Sequence, residues 1–224
     1  MRKSVIIVAG GSGTRMGLAI PKQFASIHGK PILVYTIEAF LNYDPNITVV
    51  LVLPEVHIPT WQEIKREFLP NQNVLIAQGG SSRFQSVKSG LASISEGLVA
   101  IHDAVRPMVS NQVIADCFEM AEQTGSGVAM VSLKDSIRKK VTDLTQSVNR
   151  SDYFIVQTPQ TFRVELIKKA FEVEENESFT DDASVYEYSG GSVHQVTGDY
   201  KNIKITTPED LILAEAFLNK KASK

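Results

Sequence analysis

A mostly parallel α/β sheet with helices on both faces is the fold class this 224-residue sequence predicts, on three observations. Strand-length apolar runs alternate with helical patterns along most of the chain. The first run is apolar at every position and β-branched at all but the last, as suits a parallel strand buried on both faces. That run opens directly into a glycine loop. The expected architecture is Rossmann-like, a single domain over residues 1–224 with a projecting β-arm at about 133–155.

Residues 5–9 (Val-Ile-Ile-Val-Ala) form the expected first strand, and 10–17 the loop. Pro31 then opens a helix, since its fixed φ suits a first turn, with Leu33, Ile37, Phe40 and Leu41 on one face. Residues 47–53 read as a buried strand stopped by Pro54, 61–68 as a short helix and 74–77 as a third strand. A helix over 86–93 precedes a fourth strand, 97–101, which ends at His102-Asp103. Residues 113–123 read as a helix and 127–131 as a strand.

Between Leu133 and Ile155 the core-facing period disappears. Residues 137–141 and 147–155 are expected to pair as a polar hairpin, with too little apolar surface to stand alone and so docking onto a second subunit. A long surface loop is the plainer reading of the same residues. Helices over 164–173 and 181–189, a strand over 203–205 and a last helix close the chain. Thr207 with Asp210 makes a capping box for that helix, Pro208 takes its first position, and Leu211, Ala214 and Leu218 form its inner stripe.

Composition removes several function classes. A formal net charge of -2 lacks the basic excess that wrapping nucleic acid requires. The longest apolar runs fall well short of the ~20 residues of a spanning helix, and the N-terminal run is too short for a signal peptide. A lone Cys117 allows no disulfide within one chain and no cysteine cluster for zinc. The expectation is a cytoplasmic protein with neither membrane nor nucleic-acid partners.

Glycines at 10, 11 and 13 let backbone N–H groups approach a phosphate chain, because no Cβ intervenes. A Walker A string is absent. A dinucleotide fingerprint fails as well, because Met16 stands where the third glycine belongs and Glu55 lies too far on to be the ribose acid. The string Ala9-Gly10-Gly11-x-Gly13-x-Arg15-Met16, followed by Pro21-Lys22-Gln23, instead resembles the signature loop of nucleotidylyltransferases. Attack on an α-phosphate builds negative charge on its oxygens, and Arg15 and Lys22 are cations that could offset it.

Five further strings run in order: Gly79-Gly80-x-x-Arg83-x-x-Ser86, His102-Asp103-Ala104-Val105-Arg106-Pro107, Gln157-Thr158-Pro159-Gln160, Phe179-Thr180-Asp181-Asp182-Ala183-Ser184 and Asn202-Ile203-Lys204-Ile205-Thr206. Together they resemble the 2-C-methyl-D-erythritol 4-phosphate cytidylyltransferase family over nearly the whole chain. The resemblance implies transfer of CMP from CTP to the polyol phosphate, with magnesium on the triphosphate. It implies that Ala9, Gly10, Gly11 and Gly13 contact triphosphate and ribose, and that Gly79, Gly80 and Ser86 face cytosine. Asp103, with Ala104, would meet the ribose, the magnesium shell or the incoming polyol phosphate. Arg106, Thr180 and Lys204 would hold that second substrate. Ser136 and Arg150 would reach a partner subunit's site on the arm of a homodimer. Arg15, Lys22, Arg150 and Lys204 are thereby the implied catalytic set.

The sequence departs from the family pattern in having Asn149 before Arg150 where an acid is usual, which weakens any ion pair orienting that cation, and Ser136 for a common Thr. A ribitol 5-phosphate cytidylyltransferase shares these motifs and is the alternative. A non-catalytic nucleotide sensor is the rival of another class, and it would have no use for the joint set Arg15, Lys22, Asp103, Arg150 and Lys204. Asp181-Asp182 reads as a helix start or as a metal pair, the former favoured by the helix dipole. His102 is expected to pack or position, since an anionic phosphate nucleophile needs no base. Cys117 is expected in the core.

Overall fold

The computed structural model describes residues 1–10 and 20–222. Strand β1 (Lys3–Val8) leads through a short hairpin, β2 (Ser26–Ile27) with β3 (Lys30–Pro31), into α1 (Ile32–Tyr43). Then come β4 (Thr48–Leu53), α2 (Ile58–Phe68), β5 (Val74–Gln78), α3 (Arg83–Ala92), β6 (Leu98–Asp103), α4 (Asn111–Thr124) and β7 (Ser126–Ser132). A small hairpin, β8 (Arg138–Val141) with β9 (Leu144–Ser147), precedes β10 (Phe154–Arg163), α5 (Val164–Ala170), α6 (Asp182–Tyr188), β11 (Gln195–Thr197) and α7 (Pro208–Ala222).

Among the described residues the central sheet has the order β11-β7-β10-β6-β1-β4-β5. Its pairs are parallel except the two that β10 makes, with β6 and β7. Alternate residues of the strands feed two cores, because successive side chains point to opposite faces. Val5, Ile7, Val49 and Leu51 pack with Phe40 of α1, Trp61 of α2 and Phe118 of α4. Ile6, Val50, Val52 and Val99 pack with Phe84 and Val87 of α3, Ile167 of α5 and Tyr186 of α6. Phe40 and Phe118 are wholly buried, a gain of about 1.5–3 kcal/mol for each such side chain. Helices therefore cover both faces, as expected. Cys117 is fully buried in the first core, and burial pushes its thiol pKa up. The last helix starts on the expected reciprocal bonds, Thr207 N–H to Asp210 Oδ2 at 2.9 Å and Asp210 N–H to Thr207 Oγ1 at 3.4 Å.

Three expectations are corrected. The arm's first strand pairs with Leu144–Ser147 and not with residues 147–155, because the chain turns back at once after Val141. Residues from Phe154 onward instead enter the central sheet as β10. That strand was hidden by Gln157-Thr158-Pro159-Gln160, since a proline lacks the N–H a central strand needs. The pairing with β7 accommodates it by a shift in register between Val156 and Gln160. The expected strand over 203–205 is irregular backbone, held by one bond from Ile205 N–H to the Val105 carbonyl at 3.0 Å. Ile205 is buried all the same, under Leu211 and Ala214 of α7.

Candidate active site

The C-terminal ends of β1, β5 and β6 open on one side of the sheet, where ligands sit in open α/β folds. A first cleft there is lined by Ala9, Gly10, Lys22, Gly80, Arg83, Ser86, Asp103, Ala104 and Lys204, among others. Lys22 begins a short 3-10 turn whose next two residues, Gln23 and Phe24, are buried, so the turn is anchored behind it. Gln23 Nε2 donates to the Ala9 carbonyl at 2.9 Å and ties that turn to the end of β1.

The wall opposite is built on Ser86. Its hydroxyl donates to the Ser82 carbonyl at 2.8 Å and accepts the Gly80 N–H at 3.2 Å. A Cβ on Gly80 would lie 2.3 Å from Gln85 Cβ, so only glycine lets the loop close onto α3. Gly79 stands behind, donating to the Leu53 carbonyl at 2.7 Å.

A second cleft adjoins the first, lined by Arg83, Asp103, Arg106, Gln157, Thr158, Thr180, Asp181 and Lys204. At the boundary, Asp103 Oδ2 takes Arg106 Nε at 3.0 Å and Lys204 Nζ at 3.1 Å. Burial works against the Asp103 carboxylate, but Lys204, Arg106 and Arg83 outweigh it and hold the group well below the usual carboxylate range. Arg106 also donates Nη1 to the Asn202 carbonyl at 2.9 Å. Its guanidinium thus braces the segment that carries Lys204.

His102 is fully buried, and burial pushes its pKa down to about 4. Its Nε2 lies 3.1 Å from the Arg106 carbonyl, which only accepts, so that nitrogen carries the proton. Nδ1 therefore accepts from the Thr158 hydroxyl at 3.0 Å, and that hydroxyl accepts the Asp103 N–H at 3.1 Å. Both nitrogens are engaged in holding the 103–106 turn, as the positioning reading expects.

Asp181 caps α6, accepting the Ser184 N–H at 2.8 Å in a capping box. Asp182 accepts two bonds from Arg83, at 2.7 and 2.6 Å. Burial favours a neutral Asp182 and the guanidinium an ionised one; two acceptor oxygens facing two N–H donors are the geometry of an ion pair, so the pair is charged. Asp181-Asp182 is thus a helix start and an arginine partner. Among the described residues no group of three His, Cys, Asp or Glu side chains could hold a metal.

Of the residues singled out in the sequence, Ala9, Gly10, Lys22, Gly80, Ser86, Asp103, Ala104, Arg106, Thr180 and Lys204 line the two clefts. Gly11, Gly13 and Arg15 lie outside the described residues. Ser136 and Arg150 are exposed on the arm and line neither cleft; Arg150 donates to the Lys134 carbonyl. Arg83, Thr158 and Asn202 stand inside the motif strings, but nothing local to them signals a role in building the site.

The family model described as 2-C-methyl-D-erythritol 4-phosphate cytidylyltransferase matches residues 4–220. This chain belongs to that family. Over 219 residues it is 46% identical to the 2-C-methyl-D-erythritol 4-phosphate cytidylyltransferase of Bacteroides thetaiotaomicron, covering 97% of this chain and all of that one. The Phocaeicola vulgatus protein of the same name is 45% identical over the same span. The crystal structure of the Thermus thermophilus cytidylyltransferase superposes with a TM-score of 0.79 at 30% identity, covering 98% of this chain and all of that one. That of the Anaerococcus prevotii 4-diphosphocytidyl-2C-methyl-D-erythritol synthase reaches 0.83 at 28% identity, covering 97% and 98%. Among the described residues of this cytidylyltransferase-family chain no helix is long and apolar enough to cross a membrane.

Proposed function

We infer that the chain transfers CMP from CTP to 2-C-methyl-D-erythritol 4-phosphate and releases pyrophosphate. The observation that carries this reading is the pair of adjoining clefts with Asp103 and Lys204 at their boundary. The glycine-lined cleft suits the nucleotide, and the cleft holding Arg106, Thr180 and Lys204 suits a phosphorylated polyol. An oxygen of the polyol phosphate attacks the α-phosphorus of CTP; the bond from that phosphorus to the bridging oxygen breaks, and pyrophosphate leaves with the electron pair. Lys22 supplies positive charge where the α-phosphate oxygens gain negative charge. Lys204 steers the acceptor phosphate, while Asp103, its carboxylate held by Arg106 and its N–H by the Thr158 hydroxyl, fixes the direction of the Lys204 ammonium.

Magnesium belongs to this reading as an ion carried by the triphosphate. The donor set fits that arrangement, since Asp103 offers one carboxylate beside the nucleotide cleft and magnesium commonly keeps few protein ligands beside substrate phosphates. The ion would neutralise triphosphate charge and align the leaving group.

The working form in this reading is a cytoplasmic homodimer. Every residue of β8 and β9 is exposed, and Leu144 of β9 presents apolar surface, as do Tyr153, Phe154 and Ile155 beyond the hairpin. A second copy would cover that surface and receive Arg150 and Ser136 from the arm, completing the acceptor site.

The test is pyrophosphate release with CTP against a panel of polyol phosphates that includes ribitol 5-phosphate. Methylerythritol phosphate should be the preferred acceptor, with CTP far ahead of ATP and GTP, because in this reading the base lies against the Gly80 loop, where the second ring of a purine would collide. Preference for ribitol phosphate would reassign the acceptor, and equal rates with a purine triphosphate would end the cytidylyl assignment.

A further inference from the structure

The two clefts share three wall residues: Arg83, Asp103 and Lys204. A transfer between molecules in the two clefts must occur at that wall, since the reacting atoms have to approach to about 3–3.5 Å. Asp103 and Lys204 have roles above, whereas Arg83 has none. Arg83 is the first residue of α3, which builds the nucleotide side through Ser86; Asp182 is the first residue of α6, which follows Thr180 on the acceptor side. Their two-pronged ion pair joins segments 99 residues apart in the chain.

The pair is asymmetric. The Asp182 side chain is 1% exposed and lines neither cleft, while Arg83 keeps 32% exposure and borders both. A buried ion pair is weak evidence for stability, because apolar side chains of similar volume would often join two helices as well. What an ion pair adds is a charge held in one orientation, and a guanidinium gripped on one edge keeps further N–H donors for another partner.

We propose that Arg83 is a further substrate-facing cation of the transfer reaction and that Asp182 is its positioning residue, aiming the guanidinium at the junction where the α-phosphate is attacked. This rests on the transferase reading. Asp182 also keeps Arg83 from collapsing onto Asp103, leaving that carboxylate to Arg106 and Lys204.

The experiment compares wild type, Arg83→Gln, Arg83→Lys, Asp182→Asn and the Arg83→Gln/Asp182→Asn double variant. It reads kcat by pyrophosphate release, CTP affinity by calorimetry and folding by thermal melting. Arg83→Gln should lower kcat about a hundredfold, the effect of removing one well-placed donor. Asp182→Asn and Arg83→Lys should each lower it about tenfold with CTP affinity within about twofold, and the double variant should be no slower than Arg83→Gln, because residues acting as a unit are not additive. If Asp182→Asn fails to fold, Arg83→Lys carries the same reading. Wild-type kcat in folded Arg83→Lys, or losses that multiply in the double variant, would overturn the proposal alone. A folded wild-type chain that releases no pyrophosphate would overturn the transferase reading and this proposal with it.

Discussion

His102 stands beside Asp103 at the tip of β6, where a general base would be sought, yet its two nitrogens are spent on the Arg106 carbonyl and the Thr158 hydroxyl. Protonation would place a charge in a fully buried site, and burial opposes that more strongly than the neighbouring Asp103 carboxylate favours it. The linkage follows from the values. The folded pKa is about 4 against 6.5 in the unfolded chain, so the unfolded chain binds more protons between them. Stability from this group is complete above about pH 6.5 and declines as the pH falls to about 4, a loss on the order of 3 kcal/mol. Urea midpoints measured across that window should therefore fall more steeply for wild type than for His102→Gln. Parallel curves would mean that His102 titrates freely in the fold. Asp103 has the same sign, with a contribution present above the ordinary carboxylate pKa and lost only in stronger acid.

The junction of β5, the Gly79-Gly80 loop and α3 shows how one element presents a ligand wall. Ser82 caps α3 by accepting the Gln85 N–H at 3.1 Å, and one turn on, the Ser86 hydroxyl reaches back to Gly80. Gly80→Ala places a methyl 2.3 Å from Gln85 Cβ and 3.2 Å from its backbone carbon, so the loop must lift and the Ser86 contact with it. CTP affinity should drop about tenfold or more, the worth of about 1.4 kcal/mol, while the melting temperature moves little because the core below is untouched. Calorimetry with CTP checks this; unchanged affinity would place the base elsewhere. The neighbouring strand β10 teaches a different lesson. Its polar and proline residues argue against a central strand by local rules, and the β7 and β6 ladders on either side override them.

Across the whole molecule, most of the described residues proposed for the nucleotide and the acceptor line two adjoining clefts of one chain, while Arg150 and Ser136 stand apart on the arm. If a second copy supplies them, Lys22→Ala and Arg150→Ala should complement each other. Each variant alone should be nearly inactive, and mixing with subunit exchange rebuilds one pocket that holds both Lys22 and Arg150. Heterodimers should regain up to about half of wild-type activity, by counting sites under a two-fold axis. Heterodimers that form and stay inactive would mean that each arm serves its own subunit.

The sequence by itself determined the alternation of strands and helices, the two-faced core and the placement of Lys22, Gly80, Asp103, Thr180 and Lys204. The alternation and the two-faced core are legible because burial period and turn chemistry are local properties of the chain, and the site residues because they stand in contiguous strings that resemble the family's motifs. Tertiary structure alone decided the rest. Nothing near Thr158 says that its hydroxyl joins His102 to Asp103, and nothing near Asp182 says that it grips Arg83. Those partners lie 55 to 99 residues apart and meet only once the sheet has ordered β10 beside β6 and set α6 against the start of α3. A polar side chain carries no mark of its partner, because hydrogen-bond geometry exists only after the backbone has been placed.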